Sequence, residues 1–193
     1  IANSQHGPGN AVLTNCGADI GPTAVRVEAV QDHAGVSFVN GQFMAGIEIL
    51  PSNRGPVKFT SCGFWGVPEG TEKFMKGHAR HATISGAGLA TFSACHFITW
   101  DARNEGEPAI LVDGGRVTLS ACEFADPKKQ VVVTDQGGSA LVTGCRFRGG
   151  AKIENRGKGK LEAHGNLDEC PGEFQPPTPS SQRGPGMPAD GRL

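Results

Sequence analysis

No stretch of this chain is apolar over the twenty or so residues that a membrane-spanning helix takes. Charge of one sign is not in excess either. Lys and Arg number 18 against 19 Asp and Glu, so no strong field draws the molecule toward nucleic acid or an anionic membrane. The one dense basic run, Arg156 to Lys160, is interleaved with glycine and reads as a solvated loop. Long 3.6-residue periodicity is missing, which argues against a helical domain. Although Gly reaches 29 and Pro 13, neither follows a collagen period. There is no signal-peptide pattern, and the chain starts at Ile1 rather than at methionine. A processed product or a piece of a longer protein is expected, continuous with an upstream segment.

What is present is a repeat. Five octamers superimpose: Val36 to Phe43, Val57 to Phe64, Ala90 to Phe97, Val117 to Phe124 and Ala140 to Phe147, with a weaker copy from Ala11 to Ala18. Five of the ten phenylalanines (Phe43, Phe64, Phe97, Phe124, Phe147) share one column, and Phe38, Phe59 and Phe92 share another. Side chains alternate faces along a strand, so Val57 and Phe59 point the same way. Cys62 and Phe64 join them inside only if Thr60 and Ser61 form a bend between two strands. The second bend position holds Asn15, Asn40, Ser61, Ala94, Ala121 and Gly144. Asn and Gly tolerate the left-handed conformation that such a bend can require.

A shorter apolar pattern precedes each copy: Val25 to Val27, Ile47 to Ile49, Ala82 to Ile84, Ile110 to Val112, Val131 to Val133 and Ala151 to Ile153. Each repeat therefore carries three short strands and one variable loop. Cys62, Cys95, Cys122 and Cys145 lie 33, 27 and 23 residues apart, and the loops absorb the difference. The expected fold is all-β: a right-handed parallel β-helix of about six coils, occupying residues 1–168 as the C-terminal part of a longer solenoid. A β-sandwich would not place five phenylalanines at one point of a repeated octamer, and a leucine-rich repeat would need leucines that are absent. Residues 169–193 turn Pro- and Gly-rich and read as a flexible tail.

Six cysteines raise the question of disulfides or a metal. Four share one inward position of successive coils, Cys16 falls in the same column, and Gly41 takes that place between them. No CxxC pair exists and no histidine follows at ligand spacing, so a zinc site is not expected. Reduced core thiols are the expectation, with Cys170 outside the pattern.

The strand–bend–strand unit, with Asn15 and Asn40 at the bend and stacked Phe and Cys columns, resembles the pectin-lyase-like superfamily of right-handed parallel β-helices over roughly Ala11 to Leu167. The resemblance implies a carbohydrate polymer as partner, met outside the cell or at its surface, along the first strand and its neighbouring loops. It carries no catalytic signature over. If the chain is an enzyme, polysaccharide lyase and glycoside hydrolase are the two classes, and only a lyase would add Ca²⁺ on carboxylates. No other cofactor is expected. A non-catalytic structural or adhesive module is the alternative.

Function in a solenoid gathers on loops and the face beside them. Two successive loops are long, Trp65 to His81 and Ile98 to Pro108, and should emerge side by side. Trp65 and Trp100 at their roots are candidate platforms for sugar rings, with Arg80, His78 and Arg103 as hydroxyl or uronate partners. Asp101, Glu105, Glu107 and Glu48 are the candidate carboxylates for a glycosidase pair, which needs two groups about 5–10 Å apart. Arg26, Asp113 and Lys152 are expected to project outward from the first strand beside Glu48.

Overall fold

The computed structural model describes residues 10–19, 23–66 and 80–169. The tail from residue 170 and His78 lie outside them. Twenty short strands, numbered in chain order, form three parallel sheets. Sheet A stacks β1 (Ala11–Thr14), β4 (Val36–Val39), β7 (Val57–Thr60), β10 (Leu89–Ser93), β13 (Arg116–Ser120), β16 (Ser139–Thr143) and β19 (Lys160–His164). Sheet B stacks β2 (Gly17–Ala18), β5 (Gln42–Phe43), β8 (Gly63–Trp65), β11 (His96–Ile98), β14 (Glu123–Phe124), β17 (Arg146–Arg148) and β20 (Leu167–Glu169). Sheet C stacks β3 (Thr23–Val27), β6 (Gly46–Ile49), β9 (Ala82–Ile84), β12 (Ile110–Val112), β15 (Val131–Val133) and β18 (Ile153–Asn155). Each coil runs C, A, B, and every third strand pairs in parallel with its counterpart one coil on. The result is a right-handed β-helix of six complete coils, with β1 and β2 left over at the N-terminal end.

The bend between sheets A and B turns at a single residue of left-handed backbone in every coil. Its φ is 51° at Asn15, 54° at Asn40, 52° at Ser61, 51° at Ala94, 52° at Ala121 and 63° at Gly144 and Gly165. That conformation costs an L-residue about 1–2 kcal/mol, so Asn and Gly suit the position and alanine bears the strain. On the other corner, glycines admit backbone contact between coils. A Cβ on Gly88 would stand 2.1 Å from the Gly55 carbonyl oxygen.

The inward columns form the core. Phe38, Phe59 and Phe92 stack at 4.8 and 4.9 Å between centroids. The second column runs Phe43, Phe64, Phe97, Phe124 and Phe147, spaced 5.4, 4.8, 4.7 and 5.3 Å. The two files meet edge to face, as between Phe59 and Phe64. Burying each ring fully is worth about 1.5–3 kcal/mol.

A seventh octamer escapes the sequence pattern. Leu161 to Asp168 pairs with Ala140 to Phe147, placing Asn166 in the Cys column and Asp168 in the Phe column. Asn166 Oδ1 accepts the Cys145 amide at 2.9 Å, its Nδ2 donates to the Val142 carbonyl at 3.2 Å, and Asp168 Oδ1 accepts the Ala151 amide at 3.1 Å. Polar side chains thus close the C-terminal end. The first-strand pattern also shifts there, because Ile153–Asn155, not Ala151 to Ile153, pairs with Val131–Val133.

Candidate functional site

Sheet B is followed in every coil by the loop that leads to sheet C, so loops of unequal length share one flank. The described ends of the first long loop meet the second. The Gly66 amide donates to the Ile98 carbonyl at 3.2 Å, and His81 Nε2 meets the same carbonyl oxygen at 2.9 Å. Arg80 Nη2 sits 2.6 Å from Glu107 Oε2, tying the end of one loop to the other.

Inside the second loop the candidates separate by role. Trp100 is fully buried, contrary to the expectation of a sugar platform. Positive φ at Thr99 and Asp101, 54° and 49°, swings the chain so that the indole turns inward. It packs edge-on against Phe124 at 6.1 Å and His81 at 6.1 Å, and its Nε1 donates to the Lys129 carbonyl at 2.8 Å. Asp101 is also buried, and its carboxylate is engaged: Oδ1 accepts the Glu105 amide at 2.8 Å and Oδ2 the Gly106 amide at 3.1 Å. Lys128 Nζ donates to the Trp100 and Asp101 carbonyls at 3.0 and 2.6 Å. These bonds hold the loop shape and leave Asp101 facing main-chain amides. Arg103 and Glu105 stand exposed at the loop surface.

Glu48 belongs elsewhere. It sits on the outer face of sheet C, where Thr23 Oγ1 donates to Oε1 at 3.0 Å and Arg26 Nη1 lies 4.0 Å from Oε2. Register puts Arg26, Glu48, Thr83, Leu111, Val132 and Glu154 in that outward row. Asp113 and Lys152 fall outside it, Asp113 accepting from Thr134 Oγ1 at 2.7 Å past the strand end. Among the described residues no three His, Cys, Asp or Glu side chains converge to hold a metal, so no Ca²⁺ seat of that kind is formed there.

Trp65, unlike Trp100, lies at the surface. It ends β8 on the outer face of sheet B, 37% exposed, beside its register partner Ile98. The row next to it carries His96, Glu123 and Arg146 in register. His96 Nε2 lies 3.8 Å from Glu123 Oε2, Arg148 Nη2 lies 3.3 Å from Glu123 Oε1, and Arg146 Nη1 donates to Glu169 Oε1 at 2.8 Å. Exposed pairs of this kind hold about 0–1 kcal/mol each, so a ligand's hydroxyl or carboxylate can replace them at little cost. Sequence reading passed over these residues, although they occupy the one variable slot between Cys and Phe of the octamer. Alternation alone sends that slot outward.

Away from the loops, a cavity of about 580 Å³ opens at the N-terminal end, lined by Leu13, Cys16, Ala18, Val25, Phe38 and Phe43 among others. It is the N-terminal mouth of the core among the described residues.

No family model, no curated protein and no solved structure matches this chain. Three parallel sheets in coils of this hand are consistent with the pectin-lyase-like fold.

Proposed function

We propose that the chain binds a carbohydrate polymer along the outer face of sheet B, outside the cell or at its surface. The observation that carries this reading is the exposed Trp65 indole on a flat parallel sheet, flanked by a ladder of exposed charged side chains. An indole face packs on the C–H face of a sugar ring, and Arg146, Arg148, Glu123 and His96 offer donors and acceptors for hydroxyls or uronates. Glu107 beside Arg80, with Arg103 and Glu105 on the neighbouring loop surface, extends the polar border. The reading is one of binding rather than cleavage, because Asp101 is spent on main-chain amides and Glu48 belongs to another sheet.

Affinity electrophoresis through gels cast with neutral and uronate polysaccharides tests it. Wild type should be retarded by at least one polymer, and Trp65→Ala should lose that retardation while keeping the wild-type circular dichroism. Equal retardation of both proteins would sink the proposal.

A structural module within a larger solenoid is the second reading, favoured by the apolar lining at Leu13, Ala18 and Phe43 of the N-terminal cavity among the described residues. Another coil stacked there would bury it. Adding upstream coils should raise stability, whereas an unchanged unfolding midpoint would count against this role.

A further inference from the structure

The inward column beside the phenylalanines is a file of thiols. Cys62, Cys95, Cys122 and Cys145 occupy consecutive coils, are buried, and form no disulfide. The paired residues that follow them, Gly63, His96, Glu123 and Arg146, fix their register, so neighbours stand one strand spacing apart, about 4.8 Å. The Gly41 amide donates to Cys62 Sγ at 3.4 Å.

This arrangement selects a coordination geometry. Among the described residues no three ligating side chains meet at one point, which excludes the tetrahedral sites that zinc prefers. The register instead stacks the thiols one above another, so that adjacent coils bring them together two at a time. Taking roughly 2.3 Å for a metal–thiolate bond, as for zinc, two such bonds end to end span about 4.6 Å. That is close to the strand spacing of about 4.8 Å. Thiolates are soft ligands and favour soft cations such as Cu(I) over oxygen-seeking Mg²⁺ or Ca²⁺.

We propose that the file binds soft monovalent cations of the Cu(I) type, each held in line between the sulfurs of adjacent coils, Cys62 with Cys95 and Cys122 with Cys145. Each cation joins two thiolates and displaces their two thiol protons to solvent, leaving one net negative charge per pair. The Gly41 amide already aimed at Cys62 Sγ stabilises that charge at the first pair. The S–H bonds given up, such as Cys62 to the Phe38 and Thr60 carbonyls at 3.6 and 3.4 Å, are weak donors whose loss costs little. Cys62, which faces the Cys95 thiol and the Gly41 amide, is held down to about 7 in spite of its burial. Cys145 is pushed up by Cys122 beside it and by burial.

The test uses the full chain carrying Cys16→Ala and Cys170→Ala, which removes the thiols outside the file. It is titrated anaerobically with Cu(I) against a competing Cu(I) chelator. One cation per adjacent pair, two per chain, is the expected capacity, with an ultraviolet thiolate-to-copper band. Adding Cys95→Ala should halve the capacity, and Cys95→Ala with Cys122→Ala should abolish it. X-ray absorption on the unsubstituted protein needs no core substitution and should show two sulfur neighbours per copper. Failure to take copper from the chelator, an unchanged capacity in Cys95→Ala, or copper bound through nitrogen and oxygen would each overturn the proposal.

Discussion

Phe97 sits at the centre of the longer aromatic file, and its truncation tests whether the stack carries the stability of the solenoid. Its ring lies 4.8 Å from Phe64 and 4.7 Å from Phe124, both nearly coplanar, and 5.8 Å from Phe92 edge-on. Phe→Ala in a packed core costs about 3–5 kcal/mol. Stacked partners contribute about 0.5–1.5 kcal/mol each beyond area, and Phe97 has two. Phe147 is equally buried but stacks on one side only, at 5.3 Å from Phe124, with Asp168 in register on the other. Phe147→Ala should therefore be milder than Phe97→Ala by one stacked pair, about 0.5–1.5 kcal/mol. Coils in a solenoid are coupled mainly to their neighbours, so Phe97→Ala should also lower the denaturant slope by dividing the array. Urea unfolding followed by circular dichroism measures both quantities. A loss below about 1 kcal/mol at Phe97, far under the usual core range, or equal losses at the two sites, would refute the reasoning.

Three further outcomes follow from the same geometry. Trp100→Ala should destabilise by about 3–5 kcal/mol in urea unfolding, while the folded fraction keeps whatever polysaccharide binding wild type has. Ala121→Gly should stabilise by about 0.5–1 kcal/mol, because glycine relieves the left-handed strain, and Gly144→Ala should do the reverse. Opposite signs in the unfolding midpoint are the check, and like signs would contradict the bend assignment. Asn166→Ala strips the Cys145 amide of its acceptor and should cost about 1–3 kcal/mol, with faster hydrogen exchange at Cys145 as the local readout.

The fold was legible because a parallel solenoid writes its geometry into sequence. Like residues stack on like, so Phe64, Phe97 and Phe124 can be aligned without knowing any contact. The bend was legible for a related reason, since Asn15, Asn40 and Gly144 declare a backbone conformation that Ala94 and Ala121 share silently. The last described coil was missed because Asn166 and Asp168 stand there in the Cys and Phe columns, so the pattern lapses. Of the site, adjacency of the long loops was readable and the direction of their side chains was not. Trp65 and Trp100 occur at similar distances after a column phenylalanine, one and three residues on. Trp65 continues its strand and alternates outward, whereas Trp100 lies beyond Ile98, where left-handed turns at Thr99 and Asp101 reset the phase. Period-two reasoning expires where the strand does.

This contrast also explains why sheet B suits a binding surface better than the loops do. Its inner face is the continuous phenylalanine file, so each outward residue is anchored by a buried ring one position away: Trp65 by Phe64, His96 by Phe97, Glu123 by Phe124, Arg146 by Phe147. Main-chain pairing repeats at one spacing along the whole file, which holds those outward groups at a regular pitch without help from a ligand. Under the proposed function, a polymer laid across the coils would meet groups already in place and lose little ordering entropy on binding. Loops on the adjoining flank can change length between coils without disturbing that pitch, since the ladder bonds that set it belong to the strands.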